Sequence, residues 1–529
     1  MIGYFEVFGG HKDSRQRQGT IDICCDLLNS GGFMTVMALD SRHIPNFFDL
    51  SYHLCRGDGR MNDHIYEDYS IQLIWQLADE KEVQDIDLPE ELLPLVYRSK
   101  SHLISLLRKG VDLQNWVASY TQWPTGLALL FESGYTPTYS CIREACEVNC
   151  EESIKLLINT QRCYIGPIEL QIACSHHNGT IMELIVNALV GRRKRLQTLA
   201  ETHLPDEVNS ELGSSPSTLM SLQAYRAYQL LKASSVHVDN VEETTRWSVY
   251  DYIGVNLKSA DLLWNSGFQD VDELYGNEKT CLMGLWWNSP PCSLNAFLEK
   301  ANWLINKGAN INRKSRDLTA VHFLGHDVGK LLHSINDSED VSLQVRDLSQ
   351  DSIGLMLRIF SDDTRDDCCC PCSSAGCIGL TAFLRGLFPT RSGRDLEELV
   401  HRLAMVIECL AVSLEPENQE RLIKLIAPCV LRFITYQSLN ISHTCTHEYY
   451  RGIDAEEIEE IHDEERFLIL ELDDLLAEFL AKFKSPGLSF PDYLIRSWWV
   501  RMNKIRLSCG PPSEKEINQV LETGVVLHG

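Results

Sequence analysis

A pair of short amphipathic helices is predicted by the apolar pattern that follows Gly134. The stretch GYTPT is typical of a turn, and Ser140 is a candidate N-cap for a helix over residues 141–148. In that helix Ile142 and Ala145 lie three positions apart, on one face. After a short break, EESIKLLI places acidic residues in the first turn of a second helix, followed by an apolar stripe. Such a hairpin exposes one apolar side, which it can bury only against another unit.

The same arrangement recurs further along the chain. In IELQIACSHHNGTIMELIV, Ala173 and Cys174 occupy the positions that Ala145 and Cys146 hold 28 residues earlier. Small side chains in the first helix allow a neighbouring hairpin to approach closely, as stacking into a solenoid requires. The pattern therefore predicts an array of helical hairpins.

The repeated segment resembles the ankyrin repeat. SCIREACEVNCEESIKLLI is similar to that family's frame TPLHxAAxxGHxxIVxxLL. A later stretch, WLINKGANINRKSRDLTAVHFL, has GANIN at 308–312 for the family's GADVN and TAVH at 319–322 for its TPLH. Between them, DLLWNSGFQDVDELYGNEKTCLM is similar at GFQDVD, 267–272, and at TCLM, 280–283. The resemblance implies stacked helical hairpins and gives His322 a structural role, a hydrogen bond back to its own turn.

Weaker copies extend the resemblance over residues 98–390. Gly110 and Gly134 are predicted helix stops, and GLTAFLRGLF is a predicted start of one more repeat, at Thr381. The segments ACSHHNGTIMELIVNALVGRRKRLQTLAETHLP and CLMGLWWNSPPCSLNAFLEKANWLINKGANI also resemble large ankyrin-repeat proteins of filamentous fungi, which implies a fold and not an activity.

The predicted organisation is an all-α chain with a degenerate, interrupted ankyrin-repeat solenoid. Its parts are a helical N-terminal region at 1–97, degenerate ankyrin repeats at 98–191, an interrupting segment at 192–255, repeats at 256–390 with a Cys-rich loop at 368–377, and a helical C-terminal region at 391–529. In the last region two long amphipathic helices are expected, the first with Leu399, Leu403 and Ile407 on one stripe.

Two charged segments each allow two interpretations. The basic run Arg-Arg-Lys-Arg at 192–195 is either a nuclear-localisation signal or the solvated face of a long helix. Residues 454–474 hold eleven acids and one Arg, a net charge of −10 within the total of −26, while Ile and Leu keep a helical stripe through them. We expect an acidic helix there, which either caps the array or docks a basic partner.

Composition narrows the function classes. The 529 residues carry 48 Lys+Arg against 74 Asp+Glu, which excludes a generally basic binder of nucleic acid or lipid surfaces. No stretch approaches the roughly 18 apolar residues of a membrane-spanning helix, and MIGYFEVFGGHKDSRQRQG lacks the apolar run of a secretory signal. We therefore expect a soluble intracellular protein, cytoplasmic or nuclear, that binds protein partners and neither nucleic acid nor membranes.

The 19 cysteines are expected to be reduced and mostly buried as small apolar residues. One cluster stands out, DDCCCPCSSAGC, which contains Cys368, Cys369, Cys370, Cys372 and Cys377. With His443, Cys445 and His447 of HTCTH it allows a composite zinc site. Two observations argue against zinc. The side chains of adjacent residues point apart, and among successive cysteines only Cys372 and Cys377 have the spacing of two to four intervening residues that is typical of zinc ligands. We therefore favour a reduced loop without metal and keep structural zinc as the alternative.

Catalytic motifs are missing from the sequence. It contains neither GxxxxGK[ST], GxGxxG after a strand, GxSxG nor HExxH, and the dipeptides His326-Asp327 and His462-Asp463 alone do not make a metal hydrolase. We predict no catalytic, cofactor-binding or metal-binding residues and a non-enzymatic scaffold for protein–protein interaction. The alternative is a regulatory or enzymatic module supported by zinc, built on the Cys-rich loop and the C-terminal helices.

Overall fold

The computed structural model describes Ile2–Glu6, Phe33–Met37 and most of residues 93–508. Within the last range the gaps are 97, 161–162, 164, 176–178, 213–220, 237, 239–247, 255, 276–277, 286–292, 336–337, 374, 390–394, 446–454 and 485–487. The described residues are mostly helical, so the all-α prediction is confirmed at that level. They form two compact units, the first ending at Arg192 and the second beginning at Arg193, except that residue 238 groups with the first.

The first unit contains two strands and a series of short helices. They are β1 Ile2–Glu6, β2 Phe33–Met37, α1 Leu93–Val96, α2 Lys100–Lys109, α3 Pro124–Glu132, α4 Cys141–Glu147, α5 Glu151–Thr160 and α6 Pro167–Ser175; the unit boundary lies within α7, Gly179–His203. β1 and β2 pair in parallel, with Ile2 opposite Phe33. For these two segments the prediction of a helical N-terminal region is wrong, because both are short and rich in aromatic and β-branched residues, which favour strands.

The hairpin predicted after Gly134 is confirmed. α4 buries Ile142 and Ala145, and the chain then turns through Asn149, whose φ of 54° is left-handed, before α5 begins. Gly134 itself has a φ of 95°, which suits a helix stop. Ser140 does precede α4, but its side chain makes no capping hydrogen bond, so this detail of the prediction is wrong.

The basic run at 192–195 lies within α7. Arg192 donates hydrogen bonds to the backbone carbonyl of Cys163 and, at 3.4 Å, to its sulfur. The Arg193 guanidinium lies 4.6 Å from the ring centroid of Phe268. The other two basic side chains are exposed. The run is therefore helical, and half of it forms a solvated face.

The second unit continues with helices and one small hairpin. Its elements are α8 Asp206–Glu211, α9 Ser221–Ala233, α10 Val249–Tyr252, α11 Leu257–Asn265, α12 Leu294–Asn306, β3 Lys314–Ser315, β4 Leu318–Thr319, α13 Ala320–Ser334, α14 Ser338–Arg346, α15 Gln350–Ser361, α16 Gly379–Leu387, α17 Leu396–Val412, α18 Pro416–Ser438, α19 Ala455–Glu464, α20 Arg466–Phe483, α21 Phe490–Tyr493 and α22 Trp499–Ser508. A π turn, Leu494–Trp498, joins the last two.

The loops of two successive sequence repeats lie against each other. α12 ends before Gly308, whose φ is 106°, and the chain then forms the β3–β4 hairpin that leads into α13. The backbone N–H of Asn310 donates to Asp272 at 2.9 Å, and Arg316 donates to Glu278 at 3.1 Å. In both pairs the two partners are 38 residues apart in sequence, so the loops lie side by side with a constant sequence offset.

α13 and α16 pack at unusually close range because glycines face each other. A Cβ at Gly329 would lie 2.1 Å from the carbonyl oxygen of Phe383, and one at Gly386 would lie 2.1 Å from that of His326. At the far end of the pair, the His333 ring lies 3.1 Å from the carbonyl oxygen of Leu387. Backbones can therefore touch where side chains would hold them apart.

The helix that the sequence predicts as the start of one more repeat begins earlier than expected. The expected start at Thr381 is wrong by two residues, because α16 begins at Gly379. Thr381 lies inside the first turn, where its hydroxyl accepts the backbone N–H of Ile378 at 3.4 Å. Thr381 is the third residue after Ile378, which precedes α16, just as His322 is the third residue after Thr319, which precedes α13. The two residues therefore occupy equivalent positions.

The C-terminal helices follow the predicted apolar stripes. In α17 Leu399, Leu403 and Ile407 are buried, as expected, and α18 is the second long helix. The acidic segment, however, forms α19 and α20 in place of one helix, with Glu465 between them. The Glu465 carboxylate accepts the hydroxyl of Ser442 at 2.7 Å and its N–H at 3.0 Å. Such a contact across 23 residues leaves no trace in local periodicity.

A lysine of α12 and a carboxyl group of α10 are both buried. Lys300 is almost inaccessible, and its Nζ donates to the carbonyl oxygen of Tyr250 at 2.7 Å. Asp251 accepts the N–H of Ser248 at 3.1 Å, and the two residues form a capping box on α10. Burial raises the pKa of the Asp251 carboxyl to about 7, against the opposing effect of the Lys300 ammonium.

This raised pKa predicts that stability falls as the pH rises. The folded protein holds the Asp251 proton more tightly than the unfolded chain, whose carboxyl has a pKa of about 3.9. The resulting stabilisation is complete below that value and is lost as the pH rises through about 7. Between pH 5 and pH 8 we expect the unfolding free energy of the wild type to fall by about 2–3 kcal/mol more than that of Asp251→Asn. Urea denaturation followed by circular dichroism measures both. The exposed Asp317→Asn variant serves as the control and should keep the wild-type decline; equal pH slopes in both variants would contradict the assignment.

Candidate metal centre

Six potential metal ligands meet between the loop that follows α15 and the segment that follows α18. Cys370, Cys372, His443 and Cys445 have ligand atoms that all lie within 4.8 Å of one another. Cys368 and Cys377 form a second such group with Cys445. We call these six residues the Cys/His cluster. Five of them are buried and His443 is half-buried, and the cysteines are free thiols.

The distances inside the cluster are short and similar. The sulfurs of Cys372 and Cys445 are 3.6 Å apart, and each lies 3.9 Å from the sulfur of Cys377. The Nδ1 atom of His443 lies 3.7 Å from the sulfur of Cys445 and 3.8 Å from that of Cys370. The ligand atoms thus face a common interior, although the chain reaches it from segments about 70 residues apart.

The expectation that adjacency would keep the thiols apart is wrong for three of them. Cys368, Cys370 and Cys372 alternate along the chain, so their side chains can point to one side while Cys369 is exposed on the other. The same spacing recurs in His443 and Cys445. This C-x-C-x-C alternation, paired with H-x-C, is the sequence signal that could have predicted the cluster. The remaining candidate ligand, at 447, lies outside the described residues.

One buried carboxylate shapes the loop of residues 366–377, which we call the cysteine loop. Asp366 Oδ1 accepts the backbone N–H groups of Cys368 at 3.0 Å and of Cys377 at 2.6 Å. The N–H of Asp366 in turn donates to the Cys377 carbonyl at 3.0 Å. Gly376 has a φ of 93°, and a Cβ there would lie 2.3 Å from the Asp366 carbonyl oxygen. The two ends of the loop are therefore held together independently of any metal.

His322 connects the cysteine loop to the preceding helix. Its Nδ1 lies 2.8 Å from the Thr319 hydroxyl, and its Nε2 lies 3.0 Å from the carbonyl oxygen of Cys377. Both ring nitrogens of this buried side chain are thus occupied by structural partners. The predicted bond back to its own turn is confirmed, and the histidine is no part of the Cys/His cluster.

Side chains of α18 surround the cluster from the other side. The amide nitrogen of Gln437 lies 2.7 Å from the His443 Nε2 atom; with the amide turned by 180°, its oxygen would accept the imidazole proton instead. The Tyr436 hydroxyl lies 3.4 Å from the sulfur of Cys370. Arg432 donates to the carbonyl oxygen of Pro371 at 2.8 Å and to Asp473 of α20 at 2.9 Å. These contacts orient the ligands, as outer partners do in protein metal sites.

The thiols influence one another electrostatically. Cys370 accepts hydrogen bonds from the thiols of Cys368 and Cys372, which lowers its pKa and raises theirs. Arg385, on α16, adjoins the same thiols; burial opposes its charge, but its pKa is raised because negative charge on Cys445 and its neighbours outweighs that effect.

The other sequence candidates do not form a comparable site. His326 and Asp327 lie 3.6 Å apart on α13, and His462 bonds the Thr444 hydroxyl at 3.0 Å. Throughout the part of the chain that the structure describes, groups of three or more potential metal ligands occur only in the Cys/His cluster. None of the helices in that part is long and apolar enough to cross a lipid bilayer.

Comparison with known proteins returns no relatives. No protein-family model matches the chain, and neither the characterised proteins nor the solved structures include a significant match.

Proposed function

We propose that this protein is a non-catalytic scaffold that binds other proteins through stacked, ankyrin-like helical hairpins. The observation that carries the proposal is the double hydrogen bond of His322. One ring nitrogen meets Thr319 at the start of α13, and the other meets the Cys377 carbonyl just before α16. The bond to Thr319 is the one that the TPLH resemblance implies, and the bond to Cys377 additionally fixes the position of the next helix relative to α13.

The loops offer a surface for partner binding. The β3–β4 hairpin presents the side chains of Lys314, Arg316 and Asp317 to solvent, and the preceding loop lies beside it at a constant offset. In repeat proteins, loops aligned in this way form an extended surface whose exposed residues vary while the frame stays fixed. Binding by such a surface needs no catalytic group.

The alternative, an enzymatic module supported by zinc, has weaker support. The four ligand atoms of Cys370, Cys372, His443 and Cys445 make a complete tetrahedral set of protein ligands. Catalytic zinc sites keep one position open for water or substrate, whereas structural sites are closed. The buried cluster favours a structural role, which is compatible with a scaffold.

The scaffold proposal is tested by reversing the charges of Lys314 and Asp317, two exposed residues of the β3–β4 hairpin that we call the hairpin tip. The full-length chain and a Lys314→Glu/Asp317→Lys variant are used as baits under identical conditions, and the bound proteins are quantified by mass spectrometry. We expect at least one specific partner to lose about tenfold or more in recovery, a loss of about 1.4 kcal/mol. Lys504→Glu, an exposed change on α22, is the matched control and should retain that partner.

Equal recovery by wild type, tip variant and control would contradict binding at this surface. Because both tip residues are exposed, circular dichroism of the variant should match that of the wild type. This comparison separates a lost contact from a lost fold.

A further inference from the structure

We propose that the Cys/His cluster holds two zinc ions that share the thiolate of Cys445. The first ion is bound by Cys370, Cys372, His443 and Cys445. The second is bound by Cys368, Cys377 and the shared thiolate, with a water molecule as its fourth ligand. This inference goes beyond the scaffold function and does not depend on it.

The geometry of the cluster fits tetrahedral zinc. A zinc–sulfur bond of about 2.3 Å places two sulfurs of one tetrahedral site roughly 3.8 Å apart. The sulfur of Cys445 lies 3.6 Å from that of Cys372 in the first site and 3.9 Å from that of Cys377 in the second. The His443 nitrogen completes the first site from 3.7 and 3.8 Å away from two of its sulfurs. These ligand atoms already have the separations that a bound ion would impose.

The chemistry of the ligands selects zinc among common metals. Thiolates and imidazole are soft or borderline ligands, unlike the oxygen ligands of magnesium and calcium. His443 turns Nδ1 to the cluster while Nε2 lies 2.7 Å from the Gln437 side-chain amide. With its oxygen turned to Nε2, this amide fixes the tautomer of a metal-binding histidine. Binding displaces the five thiol protons to solvent, and no oxidation or reduction is involved.

The number of ligands indicates two ions. A single tetrahedral ion uses four ligands and would leave two more buried thiols directly beside a metal thiolate. Two ions and five thiolates carry a net charge of 4 − 5 = −1, which Arg385 offsets with its single positive charge. Cys445 is the one residue that belongs to both ligand groups, and its sulfur lies 3.6 Å from that of Cys372 and 3.9 Å from that of Cys377. This sulfur is therefore positioned to bridge the two ions.

Zinc at this position would join two parts of the second unit. The cysteine loop leads directly into α16, and His443 and Cys445 follow α18. The ions would thus close a chain segment of about 70 residues that contains α16, α17 and α18. The last repeat-like helix and the C-terminal helices would be fastened by one centre.

The proposal is tested by metal analysis of the full-length protein purified without chelator. We expect two zinc ions per chain by inductively coupled plasma mass spectrometry. Cys445→Ser should lose both ions and Cys377→Ser one, whereas the control Cys369→Ser, at an exposed position inside the same loop, should keep two. Zero or one zinc in the wild type, stoichiometric iron, or two zinc ions retained by Cys377→Ser would each overturn the proposal.

Cobalt substitution provides a measurement on the wild type that does not depend on the folding of variants. Cobalt(II) in a tetrahedral thiolate site gives visible absorption bands, and the titration should end at two equivalents. Since a shared thiolate couples the two ions magnetically, the paramagnetic resonance signal should grow with the first equivalent and fall with the second. Two equivalents with a signal that grows throughout would overturn the sharing of a thiolate. None of these outcomes bears on partner recovery by the hairpin tip, so the two proposals fail independently.

Discussion

Gly329→Ala is expected to destabilise the second unit by about 3 kcal/mol or more. The added methyl group would lie 2.1 Å from the Phe383 carbonyl oxygen and 2.7 Å from the backbone nitrogen of Leu387. Both neighbours are backbone atoms of α16, so no side-chain rotation relieves the clash and the two helices must separate. Urea denaturation followed by circular dichroism measures the loss, and hydrogen exchange should rise in α13 and α16 first.

The matched control is Gly354→Ala. Gly354 is exposed within α15, and nothing lies within 4 Å of a Cβ built on it. The same substitution there should stabilise the helix by about 0.5–1 kcal/mol, because alanine is the better helix former. Similar effects at both positions would show that close packing of α13 on α16 has no energetic weight.

Arg402→Ala is expected to cost about 3–5 kcal/mol. The guanidinium group is fully buried on α17 and donates to the carbonyl oxygens of Leu332 at 3.2 Å and Ile335 at 2.6 Å. These carbonyls belong to the end of α13, where a positive charge also interacts favourably with the helix dipole. The guanidinium additionally donates to the Glu398 carboxylate at 2.7 Å. Removal of Arg402 would leave buried acceptors without their donor and a cavity where the side chain was.

Arg421→Ala is the control for this substitution, since Arg421 is exposed on α18. It should change the free energy of unfolding by less than about 0.5 kcal/mol. We expect Arg402→Lys to recover only part of the loss, because a lysine cannot donate in the fork that reaches both carbonyls and the carboxylate. If Arg402→Ala unfolded at the same urea concentration as Arg421→Ala, the guanidinium would have no role in joining α17 to α13.

Local sequence was sufficient for several helices. Periodic apolar residues predicted α4, α5, α17 and α18, and Gly110 and Gly134, both left-handed, lie where helix stops were expected. These features depend on residues within one or two turns of each other. The expected acidic helix is present but interrupted at Glu465, whose carboxylate accepts hydrogen bonds from Ser442, 23 positions earlier.

The candidate metal centre was only partly predictable. Its thiols and histidine could be named from the sequence, but their convergence depends on how α18 returns His443 and Cys445 to the cysteine loop. Local spacing made adjacent cysteines look unsuitable, whereas an extended backbone places alternate residues on one side. Asp366 and Gly376, which shape the loop, carry no sequence signal, since their partners are backbone atoms.

Two of the three histidines of α13, His322 and His333, have a mechanical consequence. His322 bonds the backbone immediately before α16, and His333 bonds the carbonyl at its last residue. Anchors at both ends of a glycine-lined contact fix the axial register, so one helix cannot slide along the other without breaking a buried bond. Under a pulling force, this pair should resist shear and separate by peeling from one end.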